Sequence, residues 1–389
     1  LELIHCHIAQ IPPSISTIAP EIPQGLIDVV NKLLAKNAEE RYQSLSGLLV
    51  DLEHCHQEWK KKGTVTSFEL AKADLPLRLN VSQRLIGREK ETKRIFSLFD
   101  EAEAGKKILL ELKGLSGLGK TMLIRETARP LTSTKGTYIS GKFDALQRTV
   151  PYYAWTQAFD QLADLMLTEN EENISSCKNI IAEGMQGLET EIVAIAPKWK
   201  LFFAETTPLP LLNPKEQQGR VMFAVSLFLQ SIMKITKPLL FFLDDWQWAD
   251  EASIELLKSI SNDEKLGKLF LALAYRPNET GNTHSFILVL NEIKRKQGDV
   301  FADNNLLLES IELKPLTIED SNEILSETFS CSKEECKELG DLIFSKTLGN
   351  PFFINQILDF LYSKKHIRLD TNEFKWRWNL SDISKLAIT

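Results

Sequence analysis

Lys106 to Thr121 reads Lys-Lys-Ile-Leu-Leu-Glu-Leu-Lys-Gly-Leu-Ser-Gly-Leu-Gly-Lys-Thr, a short apolar run that stops at a glycine-rich turn ending in Gly-Lys-Thr. Gly114, Gly119, Lys120 and Thr121 fit the spacing G-x-x-x-x-G-K-[ST] of a phosphate-binding loop. Each position has a physical reason. Glycine lets the backbone turn through positive φ, so that successive N–H groups point inward at an anion. Gly114, Ser116, Gly117, Gly119, Lys120 and Thr121 are therefore the candidate nucleotide-binding residues of the loop. Lys120 reaches the β- and γ-phosphates and is the first catalytic candidate, and the Thr121 hydroxyl is placed to ligate Mg²⁺. A helix expected over Lys120 to Arg129 aims the positive end of its dipole at the same site. A chance match in a helix C-cap loop is the bland alternative. The apolar runs Ile108 to Leu112 before the turn and Met122-Leu-Ile after it supply the strand–loop–helix order that the motif needs.

Further along, Pro238 to Asp244 is a continuous apolar run, as suits a parallel strand buried on both faces, and it ends in Asp244-Asp245-Trp-Gln-Trp-Ala-Asp. Two acids after a strand more often form a solvated turn. Downstream of a phosphate loop they are the second signature of an ATPase: Asp244 is assigned to Mg²⁺ and Asp245 to orienting the attacking water. Asp250 is expected to cap a helix over Ala252 to Ser261. Gly136 to Asp144, Leu269 to Tyr275 and Leu306 to Leu313 read as further strands, and Arg276 stands at the tip of the strand beside the two acids. Five strands separated by helices give a doubly wound parallel α/β domain with its ligand at the carboxyl ends of the strands. Helices are expected over Tyr152 to Leu167 and Glu216 to Thr236, and a loop over the polar interval Thr168 to Ser176. Thr317-Ile-Glu-Asp is a capping box that opens helices over 317–329 and 333–348; Gly349-Asn-Pro-Phe-Phe follows, and His366 to Trp378 alternates like a hairpin.

At 389 residues, with 43% hydrophobic and 25% charged residues, the chain has room for two or three domains with proper cores. A net charge of −7 argues against a non-specific nucleic-acid surface, which needs Lys and Arg to displace counterions. Neither a membrane span nor a secretory leader is expected. Because the chain begins at Leu1 without Met, it is expected to be a fragment of something larger. Cys6, Cys55, Cys177, Cys331 and Cys336 have no disulfide or zinc spacing and suit a reducing cytoplasm. His5-Cys6-His7 and His54-Cys55-His56 invite a metal reading, but neighbouring residues on a helix point in different directions, so they read as packing residues. In the amino-terminal part, Leu26, Val29, Val30, Leu33 and Leu34, and then Leu45, Leu48, Leu49 and Leu52, have helical spacing. Glu58 to Arg84, opening with the basic run Lys60-Lys-Lys-Gly, reads as a linker.

Several of these segments resemble known families. Leu85-Ile-Gly-Arg-Glu-Lys-Glu resembles the entry segment of signal-transduction ATPases with numerous domains, a class close to the AAA+ proteins, and Gly141 to Trp155 resembles the subgroup fused to bacterial serine/threonine and histidine kinases. The likeness covers about Leu85 to Trp378. It implies strand order 5-1-4-3-2, a sensor role for Arg276 near the γ-phosphate, a place for Pro351 near the adenine, nucleotide contact for Arg88 and a winged-helix domain starting near the carboxyl end. Trp246 replaces a leucine usual in the family and is expected to be a packing change. Ile22 to Val30 and Lys32 to Ser44 resemble the closing helices of a protein-kinase C-terminal lobe, with Arg41 matching an arginine that pairs with a glutamate absent from this chain. The kinase glycine-rich loop, H-R-D and D-F-G are absent, and so is the Asn-Lys-x-Asp motif of GTPases. The expected organisation is a kinase-lobe remnant at 1–58, a linker at 59–84, an ATPase core at 85–315, a helical lid at 316–365 and an incomplete winged-helix start at 366–389. The resemblance implies a cytoplasmic, ATP- and Mg²⁺-dependent regulatory switch. Its partners would be ATP or ADP and flanking kinase and sensor domains, with self-association open and neither membrane nor nucleic acid expected. A nucleotide-binding scaffold that has lost hydrolysis is the alternative.

Overall fold

Five apolar strands share their side chains between two cores. Strands β1 (Lys107–Lys113), β2 (Thr137–Lys142), β3 (Leu239–Asp244), β4 (Leu269–Tyr275) and β5 (Leu306–Glu312) form one parallel sheet in the order β2-β3-β4-β1-β5. This is the expected order. Successive side chains of a strand point to opposite faces. Phe241, Leu243, Leu271 and Leu273 therefore enter a core with helices Tyr153–Leu167, Glu171–Met185, Pro214–Ile235, Glu251–Asn262 and Ser285–Gln297. Leu240, Phe242, Phe270, Ala272 and Ala274 enter the other core, with helices Glu89–Glu103 and Lys120–Thr134. Each such leucine or phenylalanine contributes about 1.5–3 kcal/mol by leaving water. Helices on both faces of a parallel sheet are the doubly wound α/β fold of phosphate-loop NTPases.

A computed structural model of the protein describes residues 12–36, 40–72, 74, 79–82, 84–134, 136–203, 209–210, 212–297, 305–370 and 375–386. His5-Cys6-His7 lies outside them. The chain divides into two compact units, one of residues 85–315 and 350–352 and the other of residues 1–84, 316–349 and 353–389.

Two polar groups in β1 are compensated where they are buried. Glu111 accepts from the Tyr275 hydroxyl at 2.6 Å and from Lys294 at 2.8 Å. Lys107 donates to the carbonyls of Ile260, Ser261 and Asp263 at 2.7–2.9 Å, closing the carboxyl end of helix Glu251–Asn262.

Two expectations are corrected. The polar interval read as a loop over Thr168 to Ser176 holds the start of helix Glu171–Met185, whose amino end is capped by the Asn170 side chain on the Asn173 N–H at 2.8 Å. Its exposed first turn is acidic, and only Cys177, Ile181 and Met185, four residues apart, face the core. The basic run Lys60 to Lys62 forms the last turn of helix Leu45–Lys62, where cations suit the carboxyl end of the dipole, and Gly63 ends the helix in the left-handed conformation. The chain after it packs back. Val65 is buried and its carbonyl accepts from Gly25 N–H, the Asp51 carboxylate accepts from Ala71 N–H, and the Asp74 carboxylate accepts from the Gln43 and Ser44 N–H groups and the Ser44 hydroxyl.

In the same unit, helices Ile318–Phe329 and Lys333–Thr347 each begin with a capping box. The antiparallel hairpin of β6 (Ile367–Asp370) and β7 (Lys375–Trp378) sets Trp376 and Trp378 against Phe329.

Candidate functional site

The turn between β1 and helix Lys120–Thr134 is built on backbone that favours glycine. Gly117 and Gly119 have φ of +80° and +89°. A Cβ on Gly117 would also lie 2.6 Å from Asn350 Oδ1 and 2.8 Å from Phe352 Cβ, whereas one on Gly119 would meet nothing within 4 Å. Gly114 is confined by the Leu313 carbonyl, 3.2 Å from where its Cβ would be. The Lys120 ammonium donates back to the Gly114 and Leu115 carbonyls at 2.7 and 3.0 Å, and its burial lowers its pKa from the usual lysine value. Ser116 contributes its carbonyl, which accepts from Asn350 Nδ2 at 3.0 Å, and the Gly117 carbonyl accepts from Phe352 N–H at 3.3 Å. Pro351 stands between these two contacts as the first residue of helix Pro351–Ser363. Arg88 is buried and donates to the Leu118 and Lys314 carbonyls at 3.3 and 2.7 Å, tying the loop to the chain after β5.

The two acids leave β3 in different environments. Asp244 accepts from the Thr121 hydroxyl at 2.5 Å through Oδ2 and from the Asp245 N–H at 2.8 Å through Oδ1. Burial raises its pKa, the Thr121 hydroxyl opposes the rise, and the Asp245 charge adds to it. Asp245 sits in the left-handed region at φ 58°, ψ 44° and opens a 3₁₀ turn over Trp246–Trp248. Its Oδ2 lies 3.0 Å from Lys142 Nζ, and its Oδ1 accepts from Gln247 Nε2 at 2.8 Å and lies 3.4 Å from Arg276 Nε. Burial pushes the Asp245 carboxyl up, but the Gln247 amide and the Lys142 and Arg276 cations outweigh it and hold the pKa below the ordinary aspartate value. Arg276 also pairs with Glu279 at 2.8 Å. Neighbouring carboxylates pushed in opposite directions are suited to different tasks.

Trp246 is fully buried, stacks on Phe286 at 4.9 Å and 17°, and presents an edge contact with Phe143 at 4.9 Å. This aromatic packing supports the backbone directly after the acids. Thr121, Asp244, Asp245 and Arg276 thus come together beside Lys120 at the carboxyl ends of β1, β3 and β4. Sequence reading missed three residues. Lys142 ends β2 beside Asp244 in the strand register, and an isolated lysine carries no sign of that pairing. Gln247 stands out in the sequence only as part of the pattern that follows the two acids. Asn350 reaches the loop from 234 residues away in sequence, which no local signal reveals.

The hard oxygen donors Thr121 and Asp244 fit Mg²⁺, and the positive-φ glycines with Lys120 fit a polyphosphate. Residues 84–272 match the AAA ATPase domain family. The whole chain aligns with hybrid signal transduction histidine kinase G of Dictyostelium discoideum at 27% identity, covering 13% of that protein. The chain spans between 12% and 19% of the length of the curated relatives it matches. Among solved structures, Cdc6p of Pyrobaculum aerophilum is similar at 14% identity and TM-score 0.41, over 74% of this chain and 64% of that one. A signal transduction ATPase with numerous domains from Pyrococcus horikoshii, which carries a tetratricopeptide repeat sensor, is similar at 16% identity and TM-score 0.32, over 75% of this chain and 34% of that one. The phosphate loop, the two acids and β3 all lie within the segment matched to the AAA ATPase domain, in a chain related to histidine kinases.

Proposed function

We propose that this chain is an ATP-binding and ATP-hydrolysing switch module of a multidomain signalling kinase, serine/threonine or hybrid histidine. The observation that carries the reading is the convergence of Lys120, the Thr121–Asp244 pair and the Asp245–Arg276 pair at the carboxyl ends of β1, β3 and β4. Gly114, Ser116, Gly117, Gly119, Lys120 and Thr121 hold the phosphates. Thr121 and Asp244 would hold Mg²⁺, which would supply screening of the phosphate charge. Asp245, kept ionised, orients the attacking water and accepts its proton, and Arg276 stabilises charge on the γ-phosphate. Arg88 braces the loop at the nucleotide, and Pro351 lies against the base.

The switch reading has its own support. Asn350 to Phe352 group with the ATPase core and touch the phosphate loop, while the residues on either side of them group with the other unit. A nucleotide that contacts this segment therefore acts on chain leading both ways. Flanking kinase and sensor domains of the same polypeptide would receive the output in the cytoplasm. The helices over 24–62 act as a remnant of a kinase C-terminal lobe; Arg41 there donates to the Ala35 and Lys36 carbonyls.

One observation favours a second reading, a scaffold that binds ATP without hydrolysing it. Both Asp245 oxygens are already engaged, by Lys142, Arg276 and Gln247. Calorimetric titration with ATP and Mg²⁺, followed by a phosphate-release assay on the same sample, decides between them. Binding with release supports the switch ATPase, binding without release supports the scaffold, and no binding rejects both.

A further inference from the structure

Three groups hold the Asp245 carboxylate, and they differ in kind. Lys142 and Arg276 are cations, for which a polyphosphate competes. Gln247 is neutral and almost fully buried. The orientation of its amide is forced by its partners. Asp245 Oδ1 can only accept, so it faces Nε2 at 2.8 Å, and the Arg276 backbone N–H can only donate, so it faces Oε1 at 3.2 Å. The main chain of Gln247 is pinned as well. Its carbonyl accepts from Arg148 Nη2 at 3.3 Å and from His284 Nε2 at 3.3 Å, and His284 Nδ1 accepts from Phe286 N–H, which leaves the ring proton on Nε2. Gln247 thus links the tip of β3 to the first residue after β4.

We propose that Gln247 is the positioning residue of the site: it keeps Asp245 oriented while Lys142 and Arg276 turn to the nucleotide, and it ties that orientation to the backbone of Arg276. The inference rests on the ATP-hydrolysing reading. A cation that leaves Asp245 for phosphate frees one carboxylate oxygen for water, and the amide, which phosphate does not attract, holds the other. The charged groups around this carboxylate are Lys142 from β2, Lys120 from the phosphate loop, Asp244 beside it on β3, and Arg276 with Glu279 after β4. None of them duplicates the amide, which donates to the ionised form without adding charge.

The test compares Gln247→Leu, Gln247→Asn and Gln247→Glu in the full chain, by ATP affinity, by the pH profile of kcat and by titration of the Asp245 carboxyl carbon in ¹³C NMR. Gln247→Leu is expected to bind ATP as the wild type does, to lose about tenfold to a hundredfold in kcat, the scale of a misplaced reacting group, and to move both the Asp245 titration and the acid limb of kcat to higher pH. In Gln247→Glu the introduced carboxyl can donate to Asp245 only while protonated, so kcat should fall as pH rises through its titration, the reverse of the wild-type trend. Gln247→Asn keeps the amide at the buried site one methylene shorter and serves if the leucine variant does not fold. A folded Gln247→Leu or Gln247→Asn with unchanged Asp245 titration and unchanged pH profile overturns the proposal. If the wild type binds ATP but does not hydrolyse it, the ATPase reading fails, and the carboxyl titration alone decides whether Gln247 holds Asp245.

Discussion

At the scale of single residues the site separates holding from reacting. Lys120→Ala removes the loop's ammonium and leaves backbone N–H groups to face a multiply charged phosphate. ATP affinity should fall by about a hundredfold or more, the value of one to two charge-assisted contacts, when measured by calorimetry. Undiminished affinity would remove Lys120 from the site. Asp244 is raised by burial, so the folded chain binds more protons than the unfolded one in the range just above the ordinary aspartate value, and stability contributed at this group falls as pH rises through that range. Asp244→Asn should therefore raise Tm at neutral pH in the absence of nucleotide, with a gain that shrinks in acid, while weakening Mg²⁺-dependent ATP binding. Asp245 has the opposite sign: its depressed pKa gives stability that is present above the unfolded value and lost as pH falls through the folded one. A thermal melt in which Asp244→Asn and Asp245→Asn shift Tm alike across pH would contradict this division.

At the scale of elements, the central strands Leu239–Asp244 and Leu269–Tyr275 were legible because they are buried along their whole length and almost wholly apolar; Leu269 to Tyr275 shows its observed limits in the sequence. Phe241→Ala, which opens a cavity between Trp155 and Phe159, should cost about 3–5 kcal/mol in denaturant unfolding. Helix Glu171–Met185 was missed because it shows the core a single narrow stripe and starts with an acidic turn. Its dependence on the cap is open to test: Asn170→Ala should lower stability by about 1 kcal/mol, read as a shift in the urea midpoint, and no shift would mean that packing alone defines the helix start. The candidate site was legible where a motif concentrates it, at 114–121 and 244–245, and illegible where partners arrive from other elements. Lys142 depends on strand register, Gln247 on the turn that Asp245 makes, and Asn350 on the path of the chain far downstream.

At the scale of the whole molecule, Asn350 to Phe352 belong to the compact unit that holds the phosphate loop and contact that loop. A ligand shifts a conformational equilibrium only through contacts that differ between states. If Arg276 meets the γ-phosphate and Pro351 the base, ATP and ADP differ by a charge-assisted contact of about 1.5–3 kcal/mol, enough for a tenfold change in populations. Protease cleavage over residues 317–350 should then differ between ADP and a non-hydrolysable ATP analogue, and equal cleavage with both nucleotides bound would favour the scaffold. The most direct measurement is phosphate release from Mg·ATP by the wild type and by Asp245→Asn, with ATP affinity determined on the same samples. A site in which Asp245 orients water requires that the two proteins bind ATP equally and that turnover in Asp245→Asn fall by about a hundredfold or more. Equal turnover in the two, or a wild type that binds ATP and releases no phosphate, would contradict it.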